Sequence, residues 1–558
     1  MNNLSFAQLN EQSFDVAIIG GGVVGAGVAR DAALRGLRVA LFEKNDFASG
    51  TSSAPTRLIH GGLRYLELFD FGLVRQDLGE REILLRIAPH LVRPLLFVLP
   101  MWSRSIFYRL KLKIGMILYD LLSYDKSLPN HRSWDREETL KREPKLNPRG
   151  LQGALCYYDA QVPSTERLVL ENILDARDHG AQIWNHTEVT GLLREGKQVN
   201  GVWVRHAFTG ETARVRARLV VNVAGPWLDG LTAKLLGEPS RLVRMTKGIH
   251  FTSPPASNHA LVLFTQTDNR LFFVIPWLDY AWVGTTDTDY DDSPDLVRAD
   301  GEDVLYLQTA VETFLPAADW QTVYYTTAGL RALVRKEGVS ESEVSRKHEV
   351  VDYEKKEGLK GMISVVGGKL TAYRGIAEEV VDLACKKLRH RVKARTAQEP
   401  LPGARLGESL KNRDIALERF RWHLHEEGAG LGLDMEQLDH LMGLYGAMAL
   451  KLIALVRQRP ELGQRIHPEY PDILAQIHHA VAEEYCATVT DFMARRSMLI
   501  FTRDQGMAAL PRVAEELGKL LNWPPEQLEE QSALYREHVA RSQAFRSELG
   551  ARPQVSRA

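Results

Sequence analysis

Phe14-Asp15-Val16-Ala17-Ile18-Ile19-Gly20-Gly21-Gly22-Val23-Val24-Gly25 decides the fold class. An apolar strand runs into a glycine turn, and a helix follows. Gly20, Gly22 and Gly25 stand at the G-x-G-x-x-G spacing. The first glycine permits the tight turn, the second lets backbone approach a pyrophosphate, and the third lets helix pack on strand. A pyrophosphate then meets the free N–H groups at the helix start, where the dipole favours negative charge. Val39-Ala40-Leu41-Phe42 reads as the next strand. Glu43 closes it, 18 residues after Gly25, near the position that meets an adenosine ribose hydroxyl.

Working outward, the 558 residues suit two to four domains. Lys plus Arg (70) balances Asp plus Glu (71), which argues against a general polyanion binder, so no nucleic-acid partner is expected. Cys156, Cys385 and Cys486 are far apart and form no C-x-x-C pair, against disulfide scaffolds, zinc ribbons and iron–sulfur clusters. Residues 1–13 lack a signal-peptide core, and no apolar run reaches 18 residues, so no spanning helix is expected. His423, His425, His478 and His479 lack an accompanying acidic or cysteine set, and no metal is assigned.

Further strands read at 182–184, 188–193, 198–205 and 218–223, then at 250–252, 261–264, 271–275, 281–284 and 362–366. Residues 51–153, with prolines at 89, 94, 100 and 129, read as mostly helix and loop. A Pro/Gly linker at 399–403 precedes a helical region with breaks at 428–432, 460, 471 and 524–525.

Three later segments narrow the dinucleotide to a flavin. Thr51-Ser52-Ser53 through His60-Gly61-Gly62-Leu63-Arg64-Tyr65 is rich in small and hydroxyl residues along which a long cofactor could lie. Val220 to Trp227 is a strand ending in a small turn containing Ala224-Gly225. Gly367-Gly368-Lys369-Leu370-Thr371 opens a helix whose N–H groups could stabilise charge on a reduced ring system. Together with Lys247–His250, Phe273–Trp277, Gly284–Asp287 and Gly329–Arg331, these segments resemble the FAD-dependent sn-glycerol-3-phosphate dehydrogenases, the respiratory kind. The resemblance covers most of residues 14–395, and Thr490–Gly506 extends it to the family's C-terminal domain.

That resemblance implies an α/β fold: a Rossmann-like FAD-binding domain of the amino-acid-oxidase type, a β-rich substrate cap and an all-helical C-terminal domain. The expected boundaries are 1–75, 150–235 and 345–395 for the FAD domain, 76–149 and 236–344 for the cap and membrane-facing region, and 396–558 for the helices. It also implies oxidation of sn-glycerol 3-phosphate with electrons passed to a membrane quinone, a cytoplasmic location on the inner membrane face, and a homodimer. Expected FAD contacts are Gly20, Gly22, Gly25, Glu43, Thr51, Ser52, Ser53, His60, Gly61, Gly62, Ala224, Gly225, Gly367, Gly368, Lys369, Leu370 and Thr371.

Hydride removal from a secondary alcohol needs a base for the hydroxyl proton and cations that fix the phosphate. The resemblance places Arg64, Tyr65, Arg331, Arg346 and Lys369 around the substrate. Arg64, Arg331 and Lys369 each follow glycines, where a cation can point into a cleft. His250 and His60 are both candidates for the base, since histidine titrates in the working range; a cation that lowers the alcohol pKa is the third option.

Residues 83–119 contain no acid but hold Arg86, Arg93, Arg104, Arg109, Lys111 and Lys113 among aromatic and apolar side chains. That mixture fits an anionic lipid surface along 86–119. Two departures from the family pattern stand out: Gln161–Arg167 carries hydroxyls where an acidic pair is expected, and Arg331 precedes Ala332 rather than proline. An oxygen-using glycerol-3-phosphate oxidase, an amine or amino-acid oxidase, and a non-catalytic membrane flavoprotein sensor remain alternative readings.

Overall fold

A computed structural model describes residues 4–62, 66, 70–102, 105–335, 347–407 and 413–550, with the side chains of 106, 108 and 109 excepted. Arg64, Tyr65, Arg104 and Arg346 lie outside the described residues, as does the Arg109 side chain. The strands, in chain order, are β1 (Ser13–Ile19), β2 (Val39–Phe42), β3 (Leu58–Ile59), β4 (Arg93–Met101), β5 (Arg132–Trp134), β6 (Gly153–Gln161), β7 (Gln182–Trp184), β8 (Thr187–Glu195), β9 (Gln198–His206), β10 (Thr212–Asn222), β11 (Val243–Ser253), β12 (Ala260–Phe264), β13 (Leu271–Trp277), β14 (Tyr280–Gly284), β15 (Thr288–Asp289), β16 (Tyr325–Val334), β17 (Glu349–Asp352) and β18 (Met362–Val366).

Two sheets result. The first runs β17-β18-β10-β1-β2-β7, with the β8–β9 pair joined to β10. Its centre, β18-β10-β1-β2-β7, is parallel, and its strands carry buried apolar runs such as Val16–Ile19, Val39–Phe42, Leu219–Val221 and Met362–Val366. The helices Val23–Leu34, Thr165–Asp178 and Tyr373–Leu388 pack together over one face. The second sheet runs β15-β11-β14-β13-β12-β4-β6-β3, with β16 beside β11. Its far side packs on the helix Gly301–Phe314 around Val304, Leu307 and Val311.

The second sheet corrects two expectations. Residues 51–153 hold a long strand, β4, whose Phe97, Val98 and Leu99 are buried. Prolines masked it, yet β12 meets β4 only at Phe97 and Val98, so neither Pro94 nor Pro100 must donate on that side. β3 and β6 fall within the pieces assigned to the FAD domain but pair in the second sheet; β6 follows β4 from Arg93↔Gln161 to Met101↔Gly153.

The C-terminal region is helical and breaks near the expected positions, with helices Arg413–Ala429, Met435–Tyr445, Ala449–Gln458, Leu474–Glu483, Leu510–Leu521 and Pro525–Gln543. The run Met435–Gln458 has the length and mean hydropathy (1.3) of a membrane span. It is interrupted at Gly446, which has φ 52°, and Leu438, Leu441, Leu452 and Ile453 are in the core, so it is a pair of packed core helices.

The basic and aromatic segment divides. Leu96 to Met101 of β4, together with Met116 and Tyr119, are buried, so they form no surface. The helix Ile106–Leu122 turns Leu112, Met116 and Tyr119 inward. It leaves Phe107 (86% exposed), Leu110, Ile114, Ile117 and Leu121 (66% exposed) on the outside, with Lys111 and Lys113 also exposed.

Candidate active site

The glycine turn works by close approach. A Cβ on Gly20, which has φ 115°, would stand 2.8 Å from Val223 O, and one on Gly25 would overlap Gly20 O. Gly22 is the N-cap of the helix Val23–Leu34 and offers no side-chain cap. Ser52 Oγ accepts from Val23 N at 3.0 Å, and Glu43 Oε2 accepts from Gly21 N at 2.7 Å. Glu43 Oε1 takes the Asn45 N–H at 2.9 Å. Burial, opposed by these two N–H groups, holds the Glu43 carboxyl above its usual range. Each oxygen retains a lone pair for a ribose hydroxyl.

From this turn one cavity of about 720 Å³ runs to the second sheet. It is lined at one end by Gly20, Gly22, Glu43 and Ser52, and at the other by His60, His250, Arg331 and Lys369. Thr51, Ala224, Gly225, Gly367, Gly368, Leu370 and Thr371 also line it. Gly25 shapes the turn from behind, Ser53 Oγ donates to Gly50 O, and Gly61 N donates to Tyr119 Oη; these three and Gly62 do not line the cavity.

The far end is stitched from distant segments. His60 N donates to Thr371 Oγ1 at 3.1 Å, and Lys369 Nζ donates to His60 O at 3.2 Å and to Asp77 Oδ2 at 2.6 Å. Asp77 is buried, and burial, opposed by Lys369, raises its carboxyl. Arg331 projects from β16 with Nη1 on Asp287 Oδ1 at 2.9 Å and Nη2 on Thr285 Oγ1 at 2.9 Å. Gly248, opposite Gly329 on β11, must lack a side chain there, since a Cβ would strike this guanidinium and Thr285. His250 stacks on Trp282 at 5.1 Å, and its Nε2 lies 3.0 Å from Thr56 Oγ1. Burial first, then the charges of Arg331 and Arg57, hold His250 well below the usual histidine range, so its ring is neutral.

Residues 15–383 match the family described as FAD dependent oxidoreductase, and residues 394–528 match the C-terminal domain of alpha-glycerophosphate oxidase. A glycerol-3-phosphate dehydrogenase of Synechocystis sp. is 40% identical over 96% of this chain and 98% of its own. An aerobic glycerol-3-phosphate dehydrogenase of Staphylococcus haemolyticus is 34% identical over 94% and 93%. The chain belongs to the FAD-dependent glycerol-3-phosphate dehydrogenase family. The fold matches the glycerol-3-phosphate dehydrogenase of Bacillus halodurans, solved with FAD, at a TM-score of 0.77 and 27% identity, covering 96% of both chains. This dehydrogenase-family member is therefore an FAD enzyme, and its side-chain-free glycine turn and long cavity fit that cofactor.

Sequence reasoning missed Thr56, Asp77, Thr285 and Asp287, which hold the ring or cations above. Thr56, Thr285 and Asp287 lie within segments that carry the family resemblance, but only the assembled fold shows which groups they hold, and Asp77 lies in no such segment. Among the described residues, Asp46, His186 and Asp491 have the spacing of metal ligands. Their oxygens are already engaged: Asp46 with Arg495 and Arg496, Asp491 with His186 and Arg495. His425, His478 and His479 pair with Asp439, Glu516 and Glu484.

Proposed function

We propose that this enzyme oxidises sn-glycerol 3-phosphate to dihydroxyacetone phosphate and delivers the electrons to a quinone at a membrane surface. The observation that carries the substrate is the meeting of Arg331, Lys369 and His250 at one end of the cofactor cavity. Bound FAD supplies the hydride acceptor. Arg331 is already oriented by Asp287, Thr285 and the Thr286 carbonyl, so its charge is held in place where a phosphate would meet it. Lys369, fixed by Asp77, supplies a second positive charge that favours phosphate and lowers the pKa of a nearby hydroxyl. His250 is neutral and receives the hydroxyl proton, and a phosphate dianion beside Arg331 offsets the charge that depresses it. His60 serves through its backbone, which ties Thr371 and Lys369 together.

The outward face of the Ile106–Leu122 helix supports the membrane reading. Its apolar side chains recur every three or four residues along one side, and lysines lie beside them, as on a helix resting in a headgroup layer. It favours quinone over oxygen as acceptor.

Anaerobic mixing with glycerol 3-phosphate is expected to bleach the flavin, and glycerol alone is not. Protein that stays yellow with glycerol 3-phosphate refutes the substrate. Turnover with a soluble quinone is expected to exceed turnover with oxygen; peroxide formed at the rate of substrate loss refutes the acceptor.

A further inference from the structure

His250 is held on two sides, and both supports lead to the C-terminal domain. Its face rests on Trp282, with ring centres 5.1 Å apart and planes 14° from parallel. Its edge meets the hydroxyl of Thr56. Thr56 precedes Arg57, which is fully buried and has φ 60°, a left-handed conformation that a branchless residue would adopt more readily. Something must hold Arg57 there. Glu166 grips its guanidinium through both oxygens, at 2.8 and 2.9 Å, and the carbonyls of Pro163 and Ser53 take further N–H groups. The flat guanidinium lies against Trp277 and Phe501, each 4.8 Å from ring centre to Cζ, and against Trp282 at 5.4 Å. Phe501 also meets Trp277 edge-on at 4.8 Å and Tyr325 at 5.4 Å.

Phe501 is the outsider in this cluster. It belongs to the short turn Leu499–Phe501 of the C-terminal domain, just after the buried Arg495-Arg496 pair, whereas Arg57, Trp277, Trp282 and Tyr325 belong to the domains that build the cavity. We propose that Phe501 is a positioning residue through which the C-terminal domain sets His250 in its working geometry, acting through Arg57 and Trp282. The proposal rests on the reading of His250 as the proton acceptor. It gives the C-terminal helices a role in the reaction although, among the described residues, none of them lines the cavity. Glu166 serves the same end by holding Arg57, so the acid in the segment where the family pattern departs is part of the support.

A smaller side chain at 501 leaves the guanidinium of Arg57 without one of its walls, and the backbone at Thr56 and the tilt of Trp282 are then free to change. Water admitted beside Trp282 would also relieve the burial that keeps the His250 ring neutral.

The test uses the full-length FAD enzyme and the rate of anaerobic flavin bleaching by glycerol 3-phosphate. Phe501→Leu is expected to slow bleaching at saturating substrate at least tenfold with FAD content unchanged, and to move the acidic limb of the rate–pH profile upward. Phe501→Tyr, which keeps the ring, is expected to stay within about threefold of the parent. Leu517→Ala, in the C-terminal core and away from the cluster, provides the control for general loosening. It is expected to lower Tm while leaving the bleaching rate and its pH profile alone. Equal slowing by Phe501→Leu and Leu517→Ala at matched Tm, or no slowing by Phe501→Leu, overturns the proposal. If His250→Gln bleaches at the parent rate, the assignment of the base fails first; if His250→Gln is slow and Phe501→Leu is normal, only the positioning role fails.

Discussion

Arg331 shows how much of a residue's function lies in what already holds it. Its guanidinium donates hydrogen bonds to Asp287, to the Thr285 hydroxyl and to the Thr286 carbonyl before any substrate arrives. A lysine at 331 would keep the charge and lose the fork. A charge-assisted hydrogen bond is worth about 1.5–3 kcal/mol, so Arg331→Lys is expected to lower kcat/KM for glycerol 3-phosphate by about 10- to 100-fold, measured by steady-state kinetics. An unchanged value would remove Arg331 from the phosphate site. His250 makes a second prediction, about stability. Its ring titrates near 6.5 when unfolded and well below that when folded. The unfolded chain therefore binds the extra proton, so stability is full above pH 6.5 and falls as pH drops below it, down to the folded ring's own pKa. The slope from this one group is about 1.4 kcal/mol per pH unit. Urea melts between pH 7 and pH 4.5 are expected to be flatter in His250→Asn than in the parent; parallel curves would contradict the buried neutral ring.

At the scale of elements, the sequence was most readable where one physical signal dominates. The strand–glycine–helix unit, the parallel strands of the first sheet and the breaks between C-terminal helices are each marked by apolar runs or by Gly and Pro. β4 was not readable, because two prolines outweigh its apolar run until the pairing with β6 and β12 is known. β16, which carries Arg331, was read only as a glycine-arginine motif, since Ala328, Gly329 and Ala332 dilute the strand signal of its Tyr, Thr, Leu and Val residues. The basic-aromatic segment was readable as a composition but not as a surface, because only the fold separates Tyr119, which donates to Asp159 at 2.6 Å, from Phe107 on the opposite side. The exposed face predicts a separation of binding from folding. Phe107→Asp with Ile114→Asp is expected to lower partitioning onto anionic vesicles by about 100-fold or more, because each side chain brings about 1.5–3 kcal/mol when fully buried. Stability should change by no more than about 0.5 kcal/mol per site, as at other surface positions. Lys111→Glu and Lys113→Glu should each weaken vesicle binding by about 1 kcal/mol or more, and high salt should mimic them. Sedimentation with vesicles, alongside a urea melt, measures both; vesicle binding that survives the paired aspartates would leave this helix face without its membrane role.

The whole molecule depends on charges buried between its domains. Arg167, on a helix of the FAD domain, reaches Glu484 at 2.5 Å and Leu444 O at 3.0 Å, and lies over Tyr445 at 4.0 Å. Asp46, three residues past Glu43, is fully buried beneath Arg495 and Arg496. Arg167 holds Glu484 well below its usual range despite burial, so the pair is ionised. Separating the domains would break these pairs and uncover an apolar core that is continuous from the first sheet's helices into the C-terminal helices. The domains should therefore melt together. Calorimetry is expected to give one transition. Loading with FAD at about 100 times its Kd should stabilise that whole transition by about 2.7 kcal/mol, because FAD binds only the folded state. Removing one partner of a buried pair costs about 3–5 kcal/mol, so Arg167→Met should lower the same transition by that amount. Two separate transitions, with only the first responding to FAD, would mean that the C-terminal domain folds alone. Phe501 would then sit on a surface that can separate from Arg57, and the support of His250 would be conditional on docking rather than built into the fold.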